Sequence, residues 1–257
     1  MRLQCRADMA KKIFQFIPAV LKGRLNRAWL KVRHFGLKRF CPVCNSWVAS
    51  FGPFGLAQRA DAICPVCAAL ERHRLVWLFF YLGTKLLDGS AKKMLHIAPE
   101  RELEAKFRKV RGLDYLSGDL NDERAMVRMD ISDIRYPDGL FDVIYCSHVF
   151  EHVGDDRKAM RELWRVLKPG GWAVFVVPVR VEKTIEGPSV TDPGQRERLF
   201  GQSDHVMRYG PDFVDRLAEA GFGVTTICPA DIVSAKNIVR FGLADEQLFY
   251  CDKKHQS

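Results

Sequence analysis

Two hydrophobic periodicities follow one another in residues 141–177. Residues 143–146 (VIYC) are a compact apolar run, which predicts a buried strand. Residues 157–167 place apolar side chains at helical spacing and charged side chains on the opposite face, which predicts an amphipathic helix. A Pro-Gly-Gly sequence is expected to end this helix, and residues 172–177 (WAVFVV) form a second apolar run. Strand, helix and strand in this order predict a βαβ unit of a parallel sheet.

Further apolar runs lie on both sides of this unit. They alternate with helical patterns, one starting at Glu100 and one at Pro211-Asp212. Such alternation is typical of the α/β class, in which helices cover both faces of a mainly parallel sheet. The additional strands are predicted at residues 94–98, 115–119, 126–131, 222–227 and 247–251.

Residues 179–209 interrupt the alternation and show little periodicity. A stretch of this length in a compact domain is more often a lid or a binding loop than a simple connection. We therefore expect substrate to contact this segment. The alternative is that Asp204 and Arg208 only anchor the segment to the domain. The polar and aromatic side chains near its end are Gln202, Asp204, His205, Arg208 and Tyr209.

The amino-terminal residues 1–40 form a basic arm. They contain eleven Lys and Arg against one acidic residue, so the rest of the chain is nearly balanced and the formal charge of +9 belongs to the arm. Residues 11–32 have one apolar helical face, and Pro18 and Gly23 predict a bend or a break. Such a helix suits contact with RNA or with an anionic membrane, or docking on its own domain.

Four of the eight cysteines lie in two CPVC pairs separated by nineteen residues. This spacing is typical of a zinc site, and residues 41–70 therefore predict a small zinc ribbon with short hairpins. Four thiolates leave zinc no open position, so its role would be structural. A redox pair or four buried free thiols are the alternatives. The predicted ligands are Cys41, Cys44, Cys64 and Cys67.

Composition places limits on the class of protein. A length of 257 residues with 47% hydrophobic residues suffices for one large domain plus a small one. The cysteine pattern does not favour a secreted disulfide framework, and no apolar stretch reaches transmembrane length, so we predict a cytoplasmic protein with possible peripheral membrane contact. The expected organisation is arm (1–40), ribbon (41–70), connecting helix (71–92) and α/β domain (93–257).

Several sequence blocks resemble the central part of class I S-adenosylmethionine-dependent methyltransferases of the type 11 kind. The blocks are FDVI, HVFEHV, LWRVLKPGG and VFVVP, and the resemblance extends over residues 94–222. It implies a Rossmann-like seven-stranded sheet of mixed topology, S-adenosylmethionine as cofactor and methyl transfer as activity.

The first turn departs from this family's usual pattern, in which it is rich in glycine. Here the turn is Ala98-Pro99-Glu100. Either Ala98 and Pro99 shape the turn and Glu100 meets the ammonium group of the cofactor, or the domain no longer binds cofactor. The other positions favour binding: Asp119 follows Glu100 at the distance expected for a ribose ligand. The resemblance assigns Asp130 to the adenine amino group and the Ile131 backbone to the ring edge.

The complete set of predicted cofactor contacts comes from these strand ends. Ser147 and His148, at the tip of the fourth strand, are expected to lie beside the methyl group. The set is His96, Ala98, Pro99, Glu100, Asp119, Leu120, Asp130, Ile131, Ser147 and His148.

Two histidines are the candidate catalytic residues. Methyl transfer chiefly requires alignment of the partners and in some cases removal of one proton, which a histidine can perform near neutral pH. His148 lies at the strand tip and His205 near the end of residues 179–209. Glu151 and His152 recur in the pattern of the family that the sequence resembles, and they could instead have a purely structural role at the start of the helix.

Three functions are compatible with the sequence. The favoured acceptor is a small molecule or a sugar-linked one, because the ribbon contains a single cationic residue, Arg59, between Cys41 and Cys67. The second is an RNA methyltransferase, by resemblance to ribosomal RNA guanine methyltransferases that carry a zinc ribbon, with arm and ribbon holding RNA. The third is a catalytically silent binding module, suggested by the turn without glycine.

Overall fold

The computed structural model describes residues 19–55 and 58–254. Predictions for residues 1–18, including Pro18 and the start of the arm helix, lie outside this part of the chain. In the arm and the ribbon, the elements are α1 (Ala19–Arg33), β1 (Arg39–Cys41), β2 (Ser46–Val48), β3 (Gly52–Phe54) and β4 (Arg59–Ile63). The next elements are the connecting helix α2 (Glu71–Leu82), β5 (Lys92–Ile97), α3 (Arg101–Phe107), β6 (Leu113–Asp119), β7 (Val127–Arg128) and β8 (Phe141–Ser147).

After β8 the chain forms a single 3₁₀ turn, Phe150–His152, that leads into the second half of the domain. The elements there are α4 (Asp156–Val166), β9 (Leu167–Val176), β10 (Ile185–Glu186), α5 (Pro193–Phe200), β11 (Met207–Arg208), α6 (Phe213–Glu219), β12 (Gly223–Ile227), α7 (Pro229–Ile232), α8 (Ala235–Phe241) and β13 (Leu248–Asp252).

Seven strands form one mixed sheet, in the order β12-β13-β9-β8-β5-β6-β7. Strand β13 runs antiparallel to both of its neighbours, and the pairs from β9 to β7 are parallel. The predicted Rossmann-like seven-stranded α/β fold is therefore confirmed. The carboxyl ends of the parallel strands meet at one edge, where ligands of such sheets bind.

Both faces of the sheet are covered, which explains the continuous apolar run in β8. Ile144 and Cys146 belong to the core beneath α4 and α6, whereas Val143 and Tyr145 belong to the core beneath α2 and α3. Successive strand residues point to opposite faces, so a strand buried on both sides has apolar residues at every position. Each fully buried side chain of this kind contributes about 1.5–3 kcal/mol.

Three local predictions were wrong in detail. The strand predicted at residues 126–131 is reduced to Val127–Arg128 at the sheet edge, where only one neighbour stabilises it. Helix α4 ends at Val166 rather than at the Pro-Gly-Gly sequence, which instead forms an irregularity within β9 opposite β8. Helix α1 continues through Gly23 without a break.

The ribbon is built from two antiparallel hairpins, β1-β2 and β3-β4, as predicted. One buried side chain, Arg74 of α2, joins it to the main domain. Its Nη1 donates to the carbonyl oxygens of Ala62 (2.9 Å) and Ala69 (2.8 Å), and its Nη2 donates to that of Gly242 (2.7 Å). The ribbon, the connecting helix and the segment after α8 thus share one guanidinium group.

The described part of the arm exposes several large apolar side chains. Leu25, Trp29 and Val32 of α1 are exposed, whereas Leu30 packs against the core beneath α2 and α3. The contact of residues 11–32 with RNA or anionic lipid stays a prediction. Among residues 19–55 and 58–254, no helix is both long enough and apolar enough to cross a membrane.

Candidate functional site

A cavity of about 300 Å³ lies at the carboxyl ends of β5, β6 and β8. We call it the cofactor cavity. Six of the ten predicted cofactor contacts line it: Ala98, Asp119, Leu120, Asp130, Ile131 and His148. Sequence reasoning missed the other six lining residues, which are mostly apolar neighbours of those six: Ile97, Asn121, Met129, Val149, His152 and Val153.

The two aspartates of the cofactor cavity each use one oxygen to hold their own turn. Asp119 Oδ1 accepts from the backbone N–H groups of Asn121 and Asp122, both at 2.7 Å. Asp130 Oδ1 accepts from the backbone N–H of Ser132 at 2.8 Å. Within the described residues, the Oδ2 atoms have no hydrogen-bond partner, so each aspartate retains an acceptor for a ligand.

The turn after β5 adopts a conformation that favours glycine. Ala98 has φ of 48°, in the left-handed region, and its backbone N–H donates to the Gly118 carbonyl at 2.9 Å. An L-residue there costs roughly 1–2 kcal/mol. The backbone shape that glycine usually provides is therefore present with alanine. His148, after β8, is also left-handed, with φ of 54°.

Glu100 lies in a buried polar cluster rather than on the wall of the cofactor cavity. Its carboxylate is 3.4 Å from His73 Nε2, 3.5 Å from His96 Nε2 and 3.6 Å from Arg72 Nε. Burial opposes ionisation of Glu100, but the two histidines outweigh burial and hold its pKa well below the usual range. His96 is fully buried and also contacts the Tyr115 hydroxyl at 2.8 Å.

Several buried polar atoms around Glu100 lack a hydrogen-bond partner among the described residues. They include Arg72 Nε, the Tyr145 hydroxyl, Ser147 Oγ and both oxygens of Glu100. Buried polar groups are normally satisfied, so such a group of atoms indicates a polar ligand or ordered water. The Arg72 guanidinium and the Glu100 carboxylate together suit the carboxylate and ammonium groups of an amino acid. Pro99 is buried in the turn beside this cluster.

A second cavity, of about 660 Å³, adjoins the first and shares His148 and His152 with it. We call it the acceptor cavity. Phe54 and Arg59 of the ribbon line one side, and residues 200–209 line the other. Sequence reasoning did not place the ribbon there, because that depends on how the ribbon packs on the domain. A sequence signal for a polar wall does exist in the basic run Arg72-His73-Arg74 at the start of α2, and Arg72 lines this cavity.

Three histidines and a glutamate lie close together at the junction of the two cavities. His148 Nδ1 is 3.1 Å from Glu151 Oε1, and the rings of His152 and His205 are perpendicular with centroids 4.7 Å apart. His205 is 6% exposed, and burial lowers its pKa below the usual value, which favours the neutral imidazole. The two predicted catalytic histidines are thus brought into one cavity.

Residues 179–209 carry more structure than their sequence suggests. Strand β10 pairs with β11, and helix α5 lies between them. The Val206 N–H donates to the Glu151 carbonyl at 2.8 Å, and the Tyr209 hydroxyl donates to Asp156 at 3.0 Å. Asp156 is also paired with buried Arg216 at 2.7 Å. These contacts hold His205 beside the 3₁₀ turn.

The four CPVC cysteines converge at the ribbon. Their sulfur atoms lie within 4.8 Å of one another, with Cys41 to Cys67 at 3.7 Å and Cys44 to Cys64 at 3.8 Å. Zinc bound tetrahedrally by sulfur at about 2.3 Å places the sulfurs roughly 3.8 Å apart. The donor set and its spacing therefore fit zinc.

Comparisons with known proteins agree with this geometry. Residues 92–175 match the family described as methyltransferase domain. The sarcosine/dimethylglycine N-methyltransferase of Halorhodospira halochloris is 31% identical over 88 residues, which cover 34% of this chain and 29% of that protein. The ubiquinone/menaquinone biosynthesis C-methyltransferase UbiE of Vibrio campbellii is 44% identical over 45 residues, or 18% of this chain and 17% of that protein.

Among solved structures, the [4+2]-cyclase SpnF has a TM-score of 0.52 at 13% identity, covering 84% of this chain and 91% of that chain. This likeness concerns the fold. The chain spans less than a third of the length of either of these curated relatives. The family match, residues 92–175, is the segment from β5 to β9. With the seven-stranded sheet and the cofactor cavity, this match over residues 92–175 supports a class I S-adenosylmethionine-dependent methyltransferase domain.

Proposed function

We propose that this protein transfers a methyl group from S-adenosylmethionine to an acceptor bound in the acceptor cavity. The observation that carries the proposal is the continuity of the two cavities through His148 and His152. When bound, the cofactor supplies an electrophilic methyl group on a sulfonium. The protein has to align the acceptor with this group and exclude competing water.

The cofactor cavity supports the first half of the proposal. Asp119 would bind the ribose hydroxyls and Asp130 the adenine amino group through the oxygens that their turns leave available. Leu120 and Ile131 provide apolar surface for the adenine ring. Glu100 and Arg72 would hold the ammonium and carboxylate groups, with the Ser147 hydroxyl as a further partner.

His148 is the proposed general base. Its Nδ1 faces the Glu151 carboxylate at 3.1 Å, which favours the tautomer with a proton on Nδ1 and an acceptor at Nε2. Glu151 is 1% exposed, so its charge is weakly screened and stabilises the imidazolium formed when His148 accepts a proton. His205, held neutral by burial, would contact the acceptor from the opposite wall.

The acceptor is proposed to be a small or sugar-linked molecule that carries an anionic group. A cavity of about 660 Å³ is within the range of small-molecule sites. Arg59 and Arg72 there are paired with Glu71 and Glu100, whereas Arg180 and Arg208 form no salt bridge with any described residue. Two guanidinium groups without carboxylate partners favour a carboxylate or phosphate on the acceptor.

The ribbon is proposed to hold one structural zinc ion through its four cysteines. The ion would fix the hairpin that carries Phe54 and Arg59, and hence one wall of the acceptor cavity. The RNA alternative has the basic arm in its favour, but Arg59 remains the single cation of the ribbon segment.

Acceptor class can be tested with S-adenosylmethionine labelled in its methyl group. The protein is incubated with a desalted low-mass metabolite fraction and, separately, with total RNA. We expect label in the low-mass fraction and an Arg208→Ala variant with a raised KM for that acceptor. Label in RNA, lost when residues 1–40 are deleted, would instead support the RNA methyltransferase. The control is Arg198→Ala, an exposed arginine of α5 outside the cavity lining.

A further inference from the structure

A second group of metal-binding side chains lies at the acceptor cavity, far along the sequence from the cysteines. Glu151, His152 and His205 each offer one ligand atom, and these atoms lie within 4.8 Å of one another. All three residues line the acceptor cavity. Two histidines and one carboxylate with the remaining positions open are a recurring set for divalent transition metals.

The hydrogen bonds of the cluster leave the ligand atoms available. Glu151 Oε1 contacts His148, whereas buried Oε2 has no partner among the described residues. His152 Nδ1 lies 3.4 Å from the backbone carbonyl oxygen of Asp204 and 3.4 Å from its carboxylate, which leaves Nε2 for an ion. A carboxylate on the other ring nitrogen of a histidine is the usual support of a metal ligand, because it fixes the tautomer and raises its basicity.

The backbone fixes the spacing of the cluster. Glu151 and His152 are adjacent in the 3₁₀ turn, and the Val206 N–H bond to the Glu151 carbonyl at 2.8 Å places His205 opposite them. Ligand atoms around zinc at about 2.1 Å lie roughly 3.4 Å apart. Inward side-chain movements of about 1 Å would therefore suffice to close the site.

We propose that Glu151, His152 and His205 bind a divalent transition-metal ion such as Zn²⁺, with open coordination positions facing the acceptor cavity. This role in catalysis rests on the proposed function. The ion would bind an oxygen of the acceptor, a hydroxyl or a carboxylate, and would lower the pKa of a bound hydroxyl. His148, which shares Glu151, would then receive the released proton.

The test is a calorimetric titration of Zn²⁺ into protein whose ribbon already holds zinc, established beforehand by metal analysis. We expect one further equivalent to bind. His152→Ala, at a partly exposed position, should weaken this binding at least tenfold, and His205→Ala and Glu151→Gln should abolish it. The matched control is His34→Ala, outside the cluster, which should bind as the unaltered protein does.

Two results would overturn the proposal: no zinc bound beyond the ribbon equivalent, or a second equivalent that His152→Ala and His205→Ala leave unchanged. Thermal melts of each variant establish that it is folded. The titration is carried out without S-adenosylmethionine, so a failure of cofactor binding, measured separately, would remove the proposed function and leave the metal site standing.

Discussion

The guanidinium group of Arg74 should be a main determinant of stability. The perturbation is Arg74→Met, which keeps much of the side-chain volume and removes three charge-assisted hydrogen bonds to Ala62, Ala69 and Gly242. Each such bond contributes about 1.5–3 kcal/mol, or about 4.5–9 kcal/mol for three. Arg74 Nε has no hydrogen-bond partner among the described residues, and its burial therefore carries a cost that the variant removes.

We therefore expect Arg74→Met to lower the free energy of unfolding by about 4–6 kcal/mol, which approaches the whole stability of an ordinary domain. The contact of the guanidinium carbon with the Phe51 ring, at 3.9 Å from its centroid, is lost as well. Arg74→Lys should lose less, because an ammonium group can still reach one or two of the carbonyls.

The assay is urea denaturation followed by tryptophan fluorescence. Arg101→Met is the control, because Arg101 is exposed and should change the free energy of unfolding by no more than about 0.5 kcal/mol. A loss below 1 kcal/mol in Arg74→Met would refute the idea that this residue fastens the ribbon to the domain.

Three further perturbations test other parts of the structure. Ala98→Gly should leave cofactor affinity within about threefold. It should change the free energy of unfolding by less than about 1 kcal/mol, because relief of left-handed strain is offset by the entropy of glycine in the unfolded chain. A tenfold gain in affinity, measured by calorimetry, would show that alanine blocks the site. Asp156→Asn should cost about 1.5–3 kcal/mol in urea denaturation, because it removes the charge of one of the two carboxylates that pair with buried Arg216, the other being Glu186. A loss under 1 kcal/mol would contradict this. Removing zinc with a chelator should lower the melting temperature by at least about 5 °C, and Cys64→Ser should reproduce the change. An unchanged melting curve would show that the ion has no structural role.

The sequence predicted the sheet well because strand periodicity is local. The run VIYC is apolar at every position, and the structure shows both of its faces covered. Asp119 could be placed at the end of its strand from spacing and Asp130 from resemblance to the family, and both line one cavity. Edge strand β7 was overestimated, since how much of a strand pairs depends on a neighbour that the sequence does not reveal.

The acceptor side could not be predicted to the same extent. Arg59 and Phe54 reach the cavity because the ribbon packs on the domain through long-range contacts, among them the bond from Arg74 to the Gly242 carbonyl. Glu100 was expected beside the ammonium group of the cofactor, but the sequence did not predict that its carboxylate also lies among His73, His96 and Arg72. These contacts join distant parts of the chain through tertiary packing, which hydrophobic periodicity does not reveal.

The most direct test of the account is a calorimetric titration of S-adenosylmethionine into the protein and into Asp119→Asn. Asparagine retains one oxygen for the turn bonds and loses the charge offered to the ribose. We expect one equivalent bound by the unaltered chain and binding about ten- to a hundredfold weaker in Asp119→Asn, since one hydrogen bond to a charged group contributes about 1.5–3 kcal/mol. Asp114→Asn, exposed at the start of the same strand, should bind as tightly as the unaltered protein. No heat of binding in the unaltered chain would contradict the proposed cofactor site, and equal affinity in Asp119→Asn would contradict the role of Asp119 in it.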